Sequence, residues 1–368
     1  MTIDEQVLSF IHRPDPGLFD SIAIDVFGEQ FVSVPAYRNY CERMGIGPAD
    51  VTSPDRIPMV STLAFKYADL NPPDAATRAG ALSFLTSGTT IGSGRRGRHV
   101  VARPEIYRAS AIAHLRAMMF PAGARTRMLA MHPTAERMPE SSLSTMISWC
   151  IEEFGNGPAL CVADRAGVDS AAAIEFLSRC DRDGAPVCVL GTSAAFAALF
   201  DRLSARRIKM RLAAGSRMMD TGGAKGQALP LAPNEIIELA EDRLGLRPSH
   251  VINEYGMTEL CSQLYDATAL NSGLAVPAGD RIKIAPPWMR PAAIDPVTLR
   301  RVPDGTPGLL GFIDLANVSS VSAIVTEDLG IVRGREVRVL GRAIAGGTRG
   351  CALSIAEFEA AARQATAS

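Results

Sequence analysis

The chain is short of the residues that announce metal centres, disulfide frames or membrane spans. It has five histidines in 368 residues, and they are scattered. Its seven cysteines, Cys41, Cys150, Cys161, Cys180, Cys188, Cys261 and Cys351, include no C-x-x-C pair. A Cys/His zinc site is therefore not expected. An odd, unpatterned set of thiols argues for reduced cysteines and a cytoplasmic setting. No apolar run approaches the length of a bilayer-spanning helix, and Asp4, Glu5 and Asp15 replace the basic-then-apolar pattern of a leader. The net charge of −1, without blocks of one sign, gives no general attraction to nucleic acid or anionic lipid. Lysine is confined to Lys66, Lys209, Lys225 and Lys283, so each is worth checking against chemistry. The Walker pattern G-x-x-x-x-G-K-[ST] is missing.

What is present is an ordinary apolar fraction, 47%, enough for one large core or two unequal ones. Apolar strands alternate with helices through the middle of the chain. Residues 104–120, 142–154, 169–182 and 193–206 read as helices, and 127–131, 159–163 and 186–190 as strands. Asn234 is expected to cap a helix that runs to Leu244 and ends at Gly245. This rhythm predicts an α/β fold with a mostly parallel, helix-flanked sheet. After about residue 285, proline-punctuated segments at 309–315, 322–326 and 336–340 predict antiparallel β structure.

Two segments carry the chemistry. Asn253-Glu254-Tyr255-Gly256-Met257-Thr258-Glu259 follows a short apolar run and reads as the mouth of a buried strand. It offers an aromatic face, a glycine, a hydroxyl and a carboxylate, which suits an adenine, a close phosphate and a metal ion. Upstream, residues 86–97 form a hydroxyl- and glycine-rich loop after a strand at 82–85. Such a loop can wrap phosphates with backbone N–H groups and hydroxyls. Arg95, Arg96 and Arg98 favour an anion there. Taken singly, the first segment could be a chance strand-to-loop corner and the second a flexible surface loop.

Together, the two segments resemble the nucleotide site of the adenylate-forming superfamily, which activates carboxylic acids as acyl-adenylates. Thr326-Glu327-Asp328-Leu329-Gly330 resembles that superfamily's ribose-binding motif. Gly341-Arg342 is similar to the start of its hinge motif, and residues 302–308 to the turn before them. Phe19-Asp20, Val26-Phe27, Gln30, Tyr37-Arg38, Cys41, Ile57-Pro58 and Phe65-Lys66 resemble the LuxE-type acyl-protein synthetases of bacterial bioluminescence. Gly191-Thr192-Ser193, Gly222-Gly223-Ala224-Lys225 and Arg349-Gly350-Cys351 extend that likeness over nearly the whole chain. In that family a fatty acid is adenylated with ATP and passed to a cysteine near the C-terminus, from which a partner reductase takes it.

The resemblance implies a large adenylate-forming domain at 1–340, with an antiparallel subregion at about 285–340, and a reduced C-terminal segment at 341–368. It implies that Thr86, Ser87, Gly88, Thr89 and Thr90 cradle the β- and γ-phosphates of ATP. Tyr255, between Glu254 and Gly256, would stack on adenine, and Thr258 would meet the α-phosphate. Glu259 would bind Mg²⁺, Asp328 would hold the ribose, and Arg342 would help position the nucleotide. Most of the superfamily carries a C-terminal lid of about a hundred residues with a catalytic lysine. Here 26 residues follow Arg342 and no lysine follows Lys283. Lys225, Arg342 and Arg349 are the candidates for that charge, with Lys225 favoured because Gly222 and Gly223 let backbone approach a ligand. Ile91 stands where the family usually has glycine. Ala224 stands where the bioluminescence enzymes tend to carry an aromatic, so a long straight-chain acid is not assured.

Cys351 also has a local argument. Ser354-Ile355-Ala356-Glu357 reads as a capping box, which would place Cys351 just before a helix N-terminus and beside Arg349. Both favour the nucleophilic thiolate. The other six cysteines read as core residues. The acyl acceptor is expected to be Cys351. Direct transfer to CoA or an amine, and a nucleotide-binding partner subunit without turnover, are the competing readings.

Overall fold

The apolar strands read from the middle of the chain do pair in parallel, and the reason lies in their composition. Val187–Thr192 is buried along nearly its whole length. Such continuously apolar strands suit a sheet covered on both faces. The computed structural model describes residues 1–86, 96–121, 123–222, 231–269 and 277–343. They form two compact units.

One unit comprises His114–Gly256 and Leu264–Ile284. Its parallel strands run in the order Val251–Tyr255, Arg217–Thr221, Val187–Thr192, Arg127–Met131 and Leu160–Cys161. Leu264–Asp266 and Lys283–Ile284 add antiparallel strands beside Val251–Tyr255. Helices Ser170–Asp183, Ser193–Ala205 and Pro233–Leu244 share a core with these strands, built on Leu177, Phe196, Phe200, Leu244, Val189 and Met218. Burying each such side chain stabilises the unit by about 1.5–3 kcal/mol before chain entropy is counted.

Helix starts follow local chemistry. The Asp169 carboxylate accepts from the N–H groups of Ala171 and Ala172 at 2.9 and 3.0 Å, as expected of a cap. Two expectations are corrected. The helix Pro233–Leu244 is capped at Ala232, whose N–H donates to Glu235, while Asn234 accepts from Ala278 N–H. The single strand expected at 159–163 is divided into Leu160–Cys161 and Ala163–Asp164, the second pairing in a small hairpin with Gly167–Val168.

The other unit contains Met1–Ala113, Met257–Gln263 and the chain from Ala285 onward. Its antiparallel sheet has the order Met289–Ile294, Pro307–Asp314, Ala323–Arg333 and Glu336–Arg342. Val60–Ser61 adds a short parallel strand against Ile324 and Val325. The strand expected at 322–326 continues to Arg333, so Asp328 lies inside a strand and pairs in register with Arg342.

Leu82–Leu85 and Arg98–Val101 form a hairpin at the base of the glycine-rich loop. Its neck is closed by Thr86 N–H to Gly97 carbonyl at 2.9 Å and by Gly97 N–H to Thr86 Oγ1 at 2.8 Å. A Cβ on Gly97 would stand 2.7 Å from the Phe65 carbonyl oxygen. Gly97→Ala should therefore cost about 1–3 kcal/mol in urea unfolding, as overpacking does. Wild-type stability would mean that the neck does not press on Phe65.

Candidate functional site

Parallel sheets bind ligands at the carboxyl ends of their strands. Ser193, Asp220, Thr221, Asn253 and Glu254 stand at or beside those ends in the parallel unit. Ser193 Oγ donates to Asp220 Oδ1 at 2.8 Å, and Asn253 Nδ2 donates to Asp220 Oδ2 at 3.0 Å. Thr221 donates its hydroxyl to Glu254, and both are buried. Burial pushes the Asp220 carboxyl up to about 6 against the pull of Ser193 and Asn253. Gly222 follows with φ of 120°, a conformation that side chains beyond glycine rarely adopt.

The strand Val251–Tyr255 is held at its flank by a buried ionic cluster. Lys283 Nζ donates to Asn253 Oδ1 at 2.7 Å and to Asp266 Oδ1 at 2.8 Å, and Arg281 pairs with Asp266 at 3.1 Å. Lys283 is thus committed to orienting Asn253. Lys209 forms a surface pair with Asp242. The segment read as the mouth of a buried strand is strand through Tyr255, which is half-buried. Gly223 and Lys225 lie outside the described residues.

In the other unit, residues 257–263 are fixed by main-chain contacts from below. His99 Nδ1 donates to the Thr258 carbonyl at 2.6 Å. Asn317 Nδ2 donates to the Glu259 carbonyl at 3.2 Å and to the Val321 carbonyl at 3.0 Å, so its Oδ1 faces His99 Nε2 at 3.1 Å. Gln30 holds Asn317 in turn, donating to its carbonyl at 2.7 Å. Burial draws the His99 ring down from its usual pKa, opposed by Thr258 and Asn317.

Asp314 completes the anchor: its Oδ2 accepts from Cys261 N–H at 2.8 Å and its Oδ1 from Ser262 Oγ at 2.7 Å. Burial raises the Asp314 carboxyl to about 6. A carboxyl with a raised folded pKa stabilises most when protonated in both states. That contribution is lost as pH rises from about 4 through about 6. Asp314→Asn should remove this pH dependence. It should also cost about 1–3 kcal/mol at neutral pH, because an amide cannot accept at both positions. Urea unfolding at several pH values measures both effects.

Thr326, Asp328, Glu327 and Arg342 cluster on the antiparallel sheet. Thr326 Oγ1 accepts from Asp328 N–H at 3.0 Å, and Arg342 is ion-paired with Glu327. Two of the loop arginines have partners within the protein. Arg96 donates to the Thr86 carbonyl at 2.8 Å and Arg98 pairs with Asp69 at 2.9 Å, so both serve the neck. Thr86 lends its hydroxyl oxygen to Gly97. Arg95, Ser87, Gly88, Thr89, Thr90, Arg349 and Cys351 lie outside the described residues. Five of the remaining cysteines are buried as expected, but Cys161 is only half-buried.

Among the described residues, no three His, Cys, Asp or Glu side chains gather as a metal-ligand group. Glu259, a nearly buried carboxylate, suits Mg²⁺ in the manner usual for nucleotide enzymes, where one or two carboxylates share the ion with phosphates and water. His99, Asn317 and Asp314 were not singled out from the sequence. His99 and Thr258 are 159 residues apart, and no spacing rule links them.

Comparison with known proteins identifies the family and the fold. The model of the family described as "Acyl-protein synthetase, LuxE" matches residues 3–359. The long-chain-fatty-acid–luciferin-component ligase of Vibrio harveyi is 26% identical over 337 residues, covering 87% of this chain and 82% of that protein. Among solved structures, a 2-hydroxyisobutyryl-CoA ligase carrying a hydroxyacyl-AMP aligns with a TM-score of 0.62 at 16% identity. That alignment covers 88% of this chain and 67% of the other. ATP-bound MatB from Rhodopseudomonas palustris aligns with a TM-score of 0.51 at 16% identity, over 71% of this chain and 47% of its own. The fold is that of adenylate-forming ligases, and the chain belongs to the LuxE family of acyl-protein synthetases.

Proposed function

We infer that this chain is an AMP-forming ligase that joins a carboxylic acid to AMP and then passes the acyl group to a thiol. The observation that carries this reading is the family match over residues 3–359. A carboxylate is a poor electrophile because its charge is delocalised and its oxygen is a bad leaving group. Attack of that carboxylate on the α-phosphorus of ATP releases pyrophosphate and leaves a mixed anhydride. A thiolate then displaces AMP to form a thioester.

The first step is largely positioning together with neutralisation of charge on the α-phosphate. In this reading the loop at 86–90 holds the outer phosphates, Tyr255 faces adenine, Asp328 holds the ribose and Thr258 meets the α-phosphate. Glu259 is the Mg²⁺ carboxylate; the ion, when bound, shields the phosphate oxygens. Lys225 supplies the cation that a lid lysine provides elsewhere, with Arg342 as a nucleotide-positioning group. The acceptor is Cys351, and a protein that collects the acyl group from it, such as a reductase, is the partner proposed.

The acid is a fatty or related acyl acid, in line with the Vibrio harveyi ligase. Intact-protein mass spectrometry after incubation with ATP, Mg²⁺ and a mixed acid library tests the reading. One acyl adduct, dependent on ATP and located at Cys351, is expected. An ATP-dependent product on free CoA or an amine, with no protein adduct, would move the acceptor off the chain.

A further inference from the structure

Within the antiparallel unit, the return strand of the glycine-rich hairpin begins at Arg98, and His99 is its second residue. His99 is wholly buried, and the Phe65 ring meets it edge-on at 5.8 Å. Gly97, two residues before it, rests against the Phe65 carbonyl. The imidazole therefore has a fixed seat at the base of the loop. From that seat Nδ1 reaches the Thr258 carbonyl at 2.6 Å, while Asn317, in contact with Nε2, reaches the next carbonyl, that of Glu259.

The orientation of Asn317 follows from its partners. Its Nδ2 faces two carbonyl oxygens, which can only accept. Gln30 is fixed by the same logic, since its Oε1 accepts from Ser322 N–H at 3.0 Å and its Nε2 donates to the Asn317 carbonyl. Two successive peptide carbonyls of the segment are thus gripped by donors that have no freedom to turn. A grip on the main chain of Thr258 and Glu259 sets where their side chains begin.

We propose that His99 is a positioning residue that, through its Nδ1–H donor, ties the base of the glycine-rich loop to the main chain of Thr258, next to Glu259. The proposal rests on the adenylation reading given above. In that reading one buried ring holds the main chain beside the Mg²⁺ carboxylate from a strand that begins at the hairpin neck of Thr86 and Gly97. Both ring nitrogens face acceptor oxygens, so a neutral ring makes only one of the two bonds, and the shorter contact, 2.6 Å to Thr258 against 3.1 Å to Asn317 Oδ1, assigns its proton to Nδ1.

Side-chain geometry separates this role from simple packing. An asparagine amide nitrogen can take the place of Nδ1, whereas a glutamine amide nitrogen falls nearer Nε2 and a phenylalanine offers no donor. His99→Asn should keep hydrogen-exchange protection of residues 257–263 and a near-normal Mg²⁺ requirement in acid-dependent pyrophosphate–ATP exchange. His99→Gln and His99→Phe should lose that protection. They should also raise the Mg²⁺ needed for half-maximal exchange by about tenfold or more, the scale usual when a ligand's supporting partner is removed. Equal behaviour of all three, whether intact or impaired, would overturn the proposal.

A measurement on the unaltered protein stands beside the variants should they not fold. Nitrogen NMR of labelled histidine should show His99 protonated at Nδ1, and a neutral ring protonated only at Nε2 would contradict the assignment. Absence of exchange in the wild type would instead strike the adenylation reading, because the protection and tautomer measurements need no turnover.

Discussion

Glu259→Gln should abolish acid-dependent exchange of labelled pyrophosphate into ATP, with a loss of at least about a hundredfold. The substitution keeps the size of the side chain and removes its charge. A carboxylate matched to Mg²⁺ is replaced by an amide, a weak ligand for a hard cation. The fold should persist, because the peptide around Glu259 is held through its main chain. Asn317 grips the Glu259 carbonyl, His99 grips that of Thr258, and Asp314 accepts from Cys261 N–H. An unchanged circular dichroism spectrum and melting temperature with lost exchange is the expected pair of results. Exchange at the wild-type rate would remove Glu259 from the metal site.

Cys351→Ser should have the opposite signature: exchange intact, covalent acyl-protein gone. The thiols differ in how readily they ionise. Burial pushes Cys41 and Cys188 up to about 12 and raises Cys150 and Cys261 well above the usual thiol value. Such thiols are nearly absent as thiolate at neutral pH and make poor nucleophiles. The sequence places Cys351 beside Arg349 and just before an expected helix start, a setting that would favour the thiolate. Denaturing gel electrophoresis with radiolabelled acid reads the adduct directly. Label that persists on the serine variant through hydroxylamine-sensitive linkage would place the acceptor at another cysteine, with half-buried Cys161 the next to test.

The legible parts of this chain were those governed by short-range rules. Apolar runs at 127–131 and 186–190 became parallel strands because nearly all their side chains are buried, and Asp169 capped its helix through its own carboxylate. Asn234 misled because glutamate three residues after Ala232 can reach back to its N–H, an arrangement that competes with an asparagine cap. The arginines near the loop were read as favouring an anion, and Arg96 and Arg98 also have partners within the protein, on the hairpin neck and on Asp69. Charge in a sequence does not say which acceptor lies nearest.

The supports of residues 257–263 were illegible for a different reason. Gln30, His99, Asp314 and Asn317 come from distant parts of the chain, and each acts on backbone atoms, which carry no residue identity. Gln30 appeared in the sequence only as part of a family likeness, without a role. Its burial against Asn317 and Ser322 supplies one: it fixes the main chain of Asn317, whose side-chain amide holds the Glu259 carbonyl. A polar side chain buried this deeply is tolerated only when its donors and acceptors are matched.

The central claim is that the protein makes acyl-AMP. Incubating it with ATP, Mg²⁺, labelled pyrophosphate and a panel of fatty and other carboxylic acids measures the reverse of that step without requiring an acyl acceptor. Label should enter ATP with at least one acid and not without acid. ATP binding with no label incorporated for any acid in a broad panel would contradict the account and leave the chain a nucleotide-binding subunit without turnover.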